Sequence, residues 1–398
     1  MIGRHNIVGS NKDKDSYVNK GRIIGSENVV YCNDVNVFGK SNKAYGSSAL
    51  VVGTVNRVGV DKEGNLITTD EGGQLTSPVA VGVNNVVTAP YGVAVGAEAR
   101  AEGYRATAVG SLAVAPNERS TAMGSENRAT GYSSVAVGTY NNSYDFDTET
   151  RKSYDSGMYS NAIGVMNIST AEASSAIGAK NTASGKQSSS FGYRNTAAGE
   201  NSSAVGYYNK AQGDKTSALG YFNQVTGKQS STVGMQNYLT VAGSTAIGNY
   251  NNTWNVPEKK WGYQTAGTGS AAIGIKNHSA GGYSSALGYE NMSGGLKASA
   301  VGYRNITDAD QAAALGHANQ ATAQYSSAVG ALNQAEGENS SSFGYLNIAT
   351  GKQSSALGFR NYATAVNSAA IGIYNNKYNV VEKKWEDQTA GDYSVAIG

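Results

Sequence analysis

Glycine returns along this chain at a fixed step of 14 residues, at Gly178, Gly192, Gly206, Gly220, Gly234 and Gly248, and again from Gly274 through Gly288 and Gly302 to Gly372. With Gly9, Gly25, Gly39, Gly53, the run from Gly82 to Gly138, Gly164 and Gly398, there are 25 such glycines in 398 residues. The period therefore covers the chain. A fixed period means that one coil cannot bury a core alone and must stack on its neighbours. The step is too short for a helix pair, which needs about 34 residues or more. It fits two short strands and two tight turns.

The surroundings of the glycine repeat as well. The residue before it is bulky and apolar in all 25 cases, Ile177, Phe191, Val205, Leu219 and Met123 among them. From Ala80 onward the residue two before it is small. Asn stands three after it in 21 of 24 coils, as at Asn181, Asn195, Asn209 and Asn277. A small residue often stands five after (Ala183, Ala197) and a second glycine seven after (Gly185, Gly199). The segment before the glycine alternates as a strand does, and Gly and Asn are expected to supply the backbone freedom of the corners. Equal coils stacked in this way give an all-β parallel solenoid, with strands ~4.8 Å apart and 24 steps spanning roughly 115 Å. The Asn column can then hydrogen-bond to itself from coil to coil.

The bulky and the small residue are adjacent, so they point to opposite faces of one strand. A two-layer coil has one interior, and a long ribbon left in water invites association. The reading adopted puts the bulky residues inside the coil and the small ones, Ala176, Ala204, Ala218, Ala272, Ala286 and Ala300, at a shared axis between chains. The first four coils differ, with Ile7, Ile23, Val37 and Val51 in the small position.

The Ser-Ser-Ala-Ile-Gly-x-x-Asn-x-Ala-x-Gly-x-x-Ser run from Ser174 to Ser188 closely resembles the head repeat of trimeric autotransporter adhesins of the YadA type. The resemblance implies a left-handed parallel β-roll, a homotrimer, and a place on the outer surface of a Gram-negative bacterium. It implies binding to host surface or matrix proteins, glycans or other cells, with no ligand identity inherited. No heptad stalk, neck or C-terminal membrane anchor is recognisable, so the chain is expected to be a head fragment whose only link to a membrane is an anchor elsewhere.

From Gly25 onward the period is interrupted four times. It lengthens from 14 to 26 after Gly138, Gly248 and Gly372, and Gly53 and Gly82 are 29 apart. The expected organisation is β-roll coils over 1–60, a hairpin insert over 61–75 around Asp61-Lys62-Glu63-Gly64-Asn65, β-roll over 76–139, a first insert region over 140–160, and β-roll over 161–249. A second insert region covers 250–270, β-roll 271–373, a third insert region 374–394, and residues 395–398 start the next coil. Inserts in a solenoid emerge as loops on one face, often the binding face. All 3 Trp lie in two of them. The candidate ligand-binding residues are Trp254, Lys259, Lys260, Trp261, Tyr378, Lys383, Lys384 and Trp385, with Tyr144 and Phe146 in the divergent first insert. Aromatic, Lys-bearing hairpins have the composition of interaction hot spots. The competing reading folds the aromatics back over the hairpin's base, since a free hairpin is marginal. Tyr193, Tyr207, Tyr221, Tyr289, Tyr303, Tyr345 and Phe359 follow the glycine directly, beside Arg194, Arg304 and Arg360. They read as cross-strand packing between identical positions, with a gripping surface as the alternative.

Composition removes other functions. Net charge is +2 with no basic stripe, which argues against nucleic acid. One cysteine, Cys32, allows no internal disulfide, and His5, His278 and His317 share no column for a metal. Asp145-x-Asp147-x-Glu149 lacks the glycine and spacing of a calcium loop. No column of acids recurs as a hydrolase or lyase would need, so neither catalysis, metal nor cofactor is expected. The reading is a non-catalytic adhesin head that acts through multivalent contacts of a trimeric rod. The alternative is a structural spacer projecting a separate tip.

Overall fold

A computed structural model describes residues 1–9, 20–60, 67, 75–145, 147–252, 254–255, 260–261, 266–376, 378–379, 384–385 and 391–398. The described residues form an all-β parallel solenoid without a helix. Apart from Ile67 and Leu75, the expected hairpin at 61–75 lies outside them. The chain divides into two units, Met1–Asn201 and Ser202–Gly398.

In the first unit, five-residue strands such as Asn161–Val165, Ser175–Ala179 and Ser189–Tyr193 stack in parallel. Like residues face like, with Gly164 opposite Gly178 and Gly178 opposite Gly192. The register survives the interruptions: Gly53 pairs with Gly82, and Gly138 with Gly164. The opposite side of the coil is a two-residue strand from Arg57–Val58 onward, as at Thr182–Ala183, and a five-residue strand just before it, as at Lys43–Ser47. The second unit repeats the plan by itself, with Gly206 on Gly220, Gly248 on Gly274, and Ile371 on Ile397.

The interior is built of very small parts. Ala176, Ala183, Ser174 and Asn181 close one coil and are all fully buried. The Asn column is its polar spine. The Asn181 amide nitrogen Nδ2 donates to Asn167 Oδ1 at 3.1 Å, to its own coil's Ile177 carbonyl at 2.9 Å and to the Gly192 carbonyl at 2.6 Å. The Asn181 backbone N–H also donates to Asn167 Oδ1, at 3.1 Å. The same bonds recur in the second unit, as from Asn291 to Asn277 at 3.0 Å and to the Gly302 carbonyl at 2.7 Å. Each side chain thus satisfies carbonyls that the tight coil would otherwise bury unpaired.

The face assignment from the sequence is reversed. Ala176, Ala204, Ala218, Ala272, Ala286 and Ala300 are at most 1% exposed within a single chain, so they fill the coil and do not line an axis between chains. The bulky residue points outward: Leu219 is 44% exposed, Leu287 43% and Leu315 50%. The reason is volume. Sheets with ordinary side chains between them lie about 10 Å apart, and a coil this short, closed on one side mostly by two-residue strands, is filled chiefly by Ala, Ser and Asn, with Val225 and Leu239 as larger exceptions. Strand alternation shows that two residues face oppositely, but the coil's circumference decides which one is inside.

The corners also differ from expectation. The repeat glycine lies in the strand, where Gly178 has φ 115° and a Cβ would stand 2.2 Å from the carbonyl oxygen of Gly192 in the next coil. It is required by close stacking. The left-handed corners are taken by ordinary residues seven apart, such as Lys180 (φ 57°) and Gln187 (φ 55°). That conformation costs roughly 1–2 kcal/mol per residue. It is offset because each corner N–H bonds the preceding coil: Lys180 to the Val165 carbonyl and Gln187 to the Glu172 carbonyl, both at 2.9 Å.

Candidate functional site

Each of the three related inserts leaves the coil at the same triplet: Tyr140-Asn141-Asn142, Tyr250-Asn251-Asn252 and Tyr374-Asn375-Asn376. The first Asn stays in the spine, its N–H donating to Asn127, Asn237 or Asn361 Oδ1 at 3.1 Å. The second turns left-handed, with φ of 54°, 56° and 57°. It also holds the ladder: Asn142 Oδ1 accepts the Ser169 N–H at 2.8 Å, and Asn252 Oδ1 the Ser279 N–H at 3.2 Å. In the third insert Asn376 Nδ2 donates to the Tyr362 carbonyl at 2.7 Å. These hinge asparagines were missed in the sequence reading, although the thrice-repeated doublet and the Ser that replaces Ala at Ser169 and Ser279 were signals for them.

Beyond the hinge, all three inserts form a short antiparallel hairpin. Tyr144 pairs with Arg151 in the first, Trp254 with Trp261 in the second and Tyr378 with Trp385 in the third. Lys260 stands opposite Asn255, and Lys384 opposite Asn379. The two aromatic positions of the second insert, and of the third, are thus register partners on the backbone. Phe146, Lys259 and Lys383 lie outside the described residues.

The first hairpin is tied to the coils beneath it. The Tyr154 N–H donates to the Asn142 carbonyl at 2.8 Å, and Arg151 reaches Glu126 Oε1 at 2.6 Å. The Tyr144 ring packs on Tyr140 at 5.6 Å between centroids. Asp145 Oδ1 accepts the N–H groups of Asp147 (3.0 Å) and Thr148 (3.3 Å), which shapes the tip. The hydrogen bond from the Tyr154 phenol, with these amides and Lys152, holds the Asp145 carboxyl below its ordinary range despite some desolvation. Burial and that same bond push the Tyr154 phenol up to about 12.

Aromatic ladders run along the outside. Tyr207 stacks on Tyr221 at 5.2 Å, Tyr289 on Tyr303 at 5.2 Å, and Tyr345 on Phe359 at 5.6 Å. His317 continues one of them, 5.1 Å from Tyr303. A second column, at the left-handed corner, adds Tyr208 on Phe222 at 4.8 Å. Among the described residues no group of three or more His, Cys, Asp or Glu side chains could hold a metal ion.

The YadA head domain repeat (2 copies) matches residues 79–99, 101–127, 115–141, 183–209, 321–347 and 349–374. YadA-type head repeats thus recur along the chain. The YadA-type family is one of bacterial surface-exposed adhesins, built from adhesive and structural repeats and not from catalytic ones. No curated protein matches the chain. The YadA-type repeat also accounts for the sequence traits that stood out first, the small residue, the bulky residue and the glycine, each of which now has a distinct place: inside, outside, and in the stacking seam.

Proposed function

We propose that this chain is the head of a homotrimeric surface adhesin, a left-handed β-roll that attaches a Gram-negative cell to host cells, matrix or other bacteria. The observation that carries this reading is the outward ladder of bulky residues, including Leu219, Ile247, Leu287, Leu315 and Leu357, each at least two-fifths exposed in the single chain. Fully burying one such side chain contributes about 1.5–3 kcal/mol. Repeated coil after coil, that is a strong drive for association. Three copies around one axis, the arrangement associated with YadA-type heads, would cover the ladder. The axis is therefore assigned to these residues, in place of the alanines.

Trimerisation would present every hairpin three times, so weak contacts would add through high effective concentration. The contact residues proposed are Trp254, Lys259, Lys260, Trp261, Tyr378, Lys383, Lys384 and Trp385, with Tyr144 and Phe146. Two experiments test the reading. Replacing Leu219 and Leu287 by Asp should turn a sedimenting trimer into a folded monomer; an intact trimer would move the axis elsewhere. Deleting residues 253–265 and 377–390 should abolish adhesion to cultured cells. Undiminished adhesion would favour a spacer that carries a separate tip.

A further inference from the structure

The first insert differs from the other two in more than the loss of Trp. Between its hairpin and the coils beneath lies a cleft of about 270 Å³. That is at the small end of ligand clefts, which begin near roughly 300 Å³. Asp145, Asp147 and Tyr154 line it from the insert. Ile168 and Thr170 form its floor, continued in the next coil by Thr182 and Ser184. Ile168 and Thr182 are register partners, so the floor is a rigid sheet surface.

We infer that this cleft binds a neutral sugar ring at the end of a glycan. The inference rests on the adhesin reading and names the ligand class for one of its inserts. A pyranose carries hydroxyls in several directions and one face of C–H groups. The wall of the cleft offers carboxylate acceptors, and its floor offers three hydroxyls that both donate and accept. Ile168 and the Tyr154 ring supply the apolar contact. The cleft is also organised before any ligand arrives. Asp145 is fixed by two backbone N–H groups, the Tyr154 phenol and Lys152 at 3.6 Å, which lowers the ordering cost of binding. Lys152 also lies 5.1 Å from the centre of the Tyr154 ring, holding it in place. Charge sets the selectivity. Two aspartates face the cleft against one lysine, so an anionic sugar would be repelled.

The test uses the whole chain and saturation-transfer NMR with the methyl glycosides of glucose, galactose, N-acetylglucosamine and N-acetylgalactosamine, and with N-acetylneuraminic acid as the anionic control. At least one neutral glycoside should receive saturation, strongest at the C–H groups of one ring face, and the acid should receive none. Asp147→Asn should weaken binding about tenfold, by loss of a charged acceptor, and Ser184→Trp should abolish it by filling the floor. Melting curves of both variants report that the coils are intact. Silence from every neutral glycoside would overturn the inference, as would binding that both variants leave unchanged. Cell adhesion by a chain that binds no sugar would overturn the cleft assignment alone. Sugar binding without adhesion would instead overturn the adhesin reading.

Discussion

The coils near the N-terminus and those of the middle of the first unit solve one packing problem in two ways. Over residues 22–58 the interior holds Ile23, Val37 and Val51 against Val30, Ala44 and Val58, nearly all fully buried. Here both sides of the coil are five-residue strands, Arg22–Ser26 and Asn36–Lys40 on one, Val29–Asn33 and Lys43–Ser47 on the other. Around residues 175–197 the interior holds Ala176 and Ser190 against Ala183 and Ala197, and the second side shrinks to two-residue strands. Strand length does not decide the filling alone, since Val58, Val87, Val225 and Leu239 are buried on two-residue strands; the early coils differ in carrying Ile or Val on the first strand as well. Burying Val contributes about 1.5–3 kcal/mol where a single methyl gives about 0.8 kcal/mol. The early coils therefore carry more of their stability inside one chain. The later ones lean on the Asn spine and on whatever covers their bulky outer face.

The sharpest way to break this comparison is to enlarge both interiors. Ala176→Leu should cost about 3 kcal/mol, while Val37→Leu should cost about 1 kcal/mol. Urea midpoints of the two variants report the difference, and equal costs would mean the interiors do not differ in room. Truncating the spine should instead erase the contrast. Asn42→Ala and Asn181→Ala each strip an acceptor from the next coil's Asn and a donor from buried carbonyls. Both should cost about 2 kcal/mol, read by hydrogen exchange at Asn56 and Asn195.

The spine and the period were legible because they need only spacing, and Asn181 under Asn195 follows from the count of residues alone. Which way Ile177 points was not legible, since alternation has no sign and only the finished circumference supplies one. The corners were hidden for a different reason. Lys180, Gln187 and Phe222 have no turn propensity in common, and their left-handed backbone comes with the inter-coil hydrogen bonds. The hairpin pairing of Trp254 with Trp261 follows once Asn252 is known as a hinge, but nothing local marks that second Asn apart from its recurrence.

A smaller effect separates two interior serines. Ser190 replaces Ala in the interior column and its Oγ has no hydrogen-bond partner, whereas Ser342 Oγ donates to the Asn347 carbonyl at 2.8 Å. Ser190→Ala should raise stability by about 1 kcal/mol, while Ser342→Ala should bring no gain; thermal melts of the pair decide it. The smallest expected effect concerns pH. Burial pushes Glu290 upward, but Arg304 at 2.7 Å and Lys276 at 3.6 Å outweigh it and hold its carboxyl below 4.5. Its stabilisation is thus complete above that value and fades as pH falls through the lowered folded value. Arg304→Gln should flatten that acid limb in a pH series of melts. The early pair Glu27–Lys40, 3.7 Å apart with both side chains more than half exposed, should leave the melting temperature almost unmoved when Lys40→Gln is compared.

The left-handed corners have a consequence for how such a molecule can change. Lys276, Glu290, Arg304, Ala318, Leu332 and Leu346 succeed one another at the same corner, with φ between 51° and 57° throughout. The backbone of this edge therefore accepts side chains of very different size and polarity, so the edge can be recoloured position by position wherever, unlike at Glu290, no ion pair ties one corner to the next.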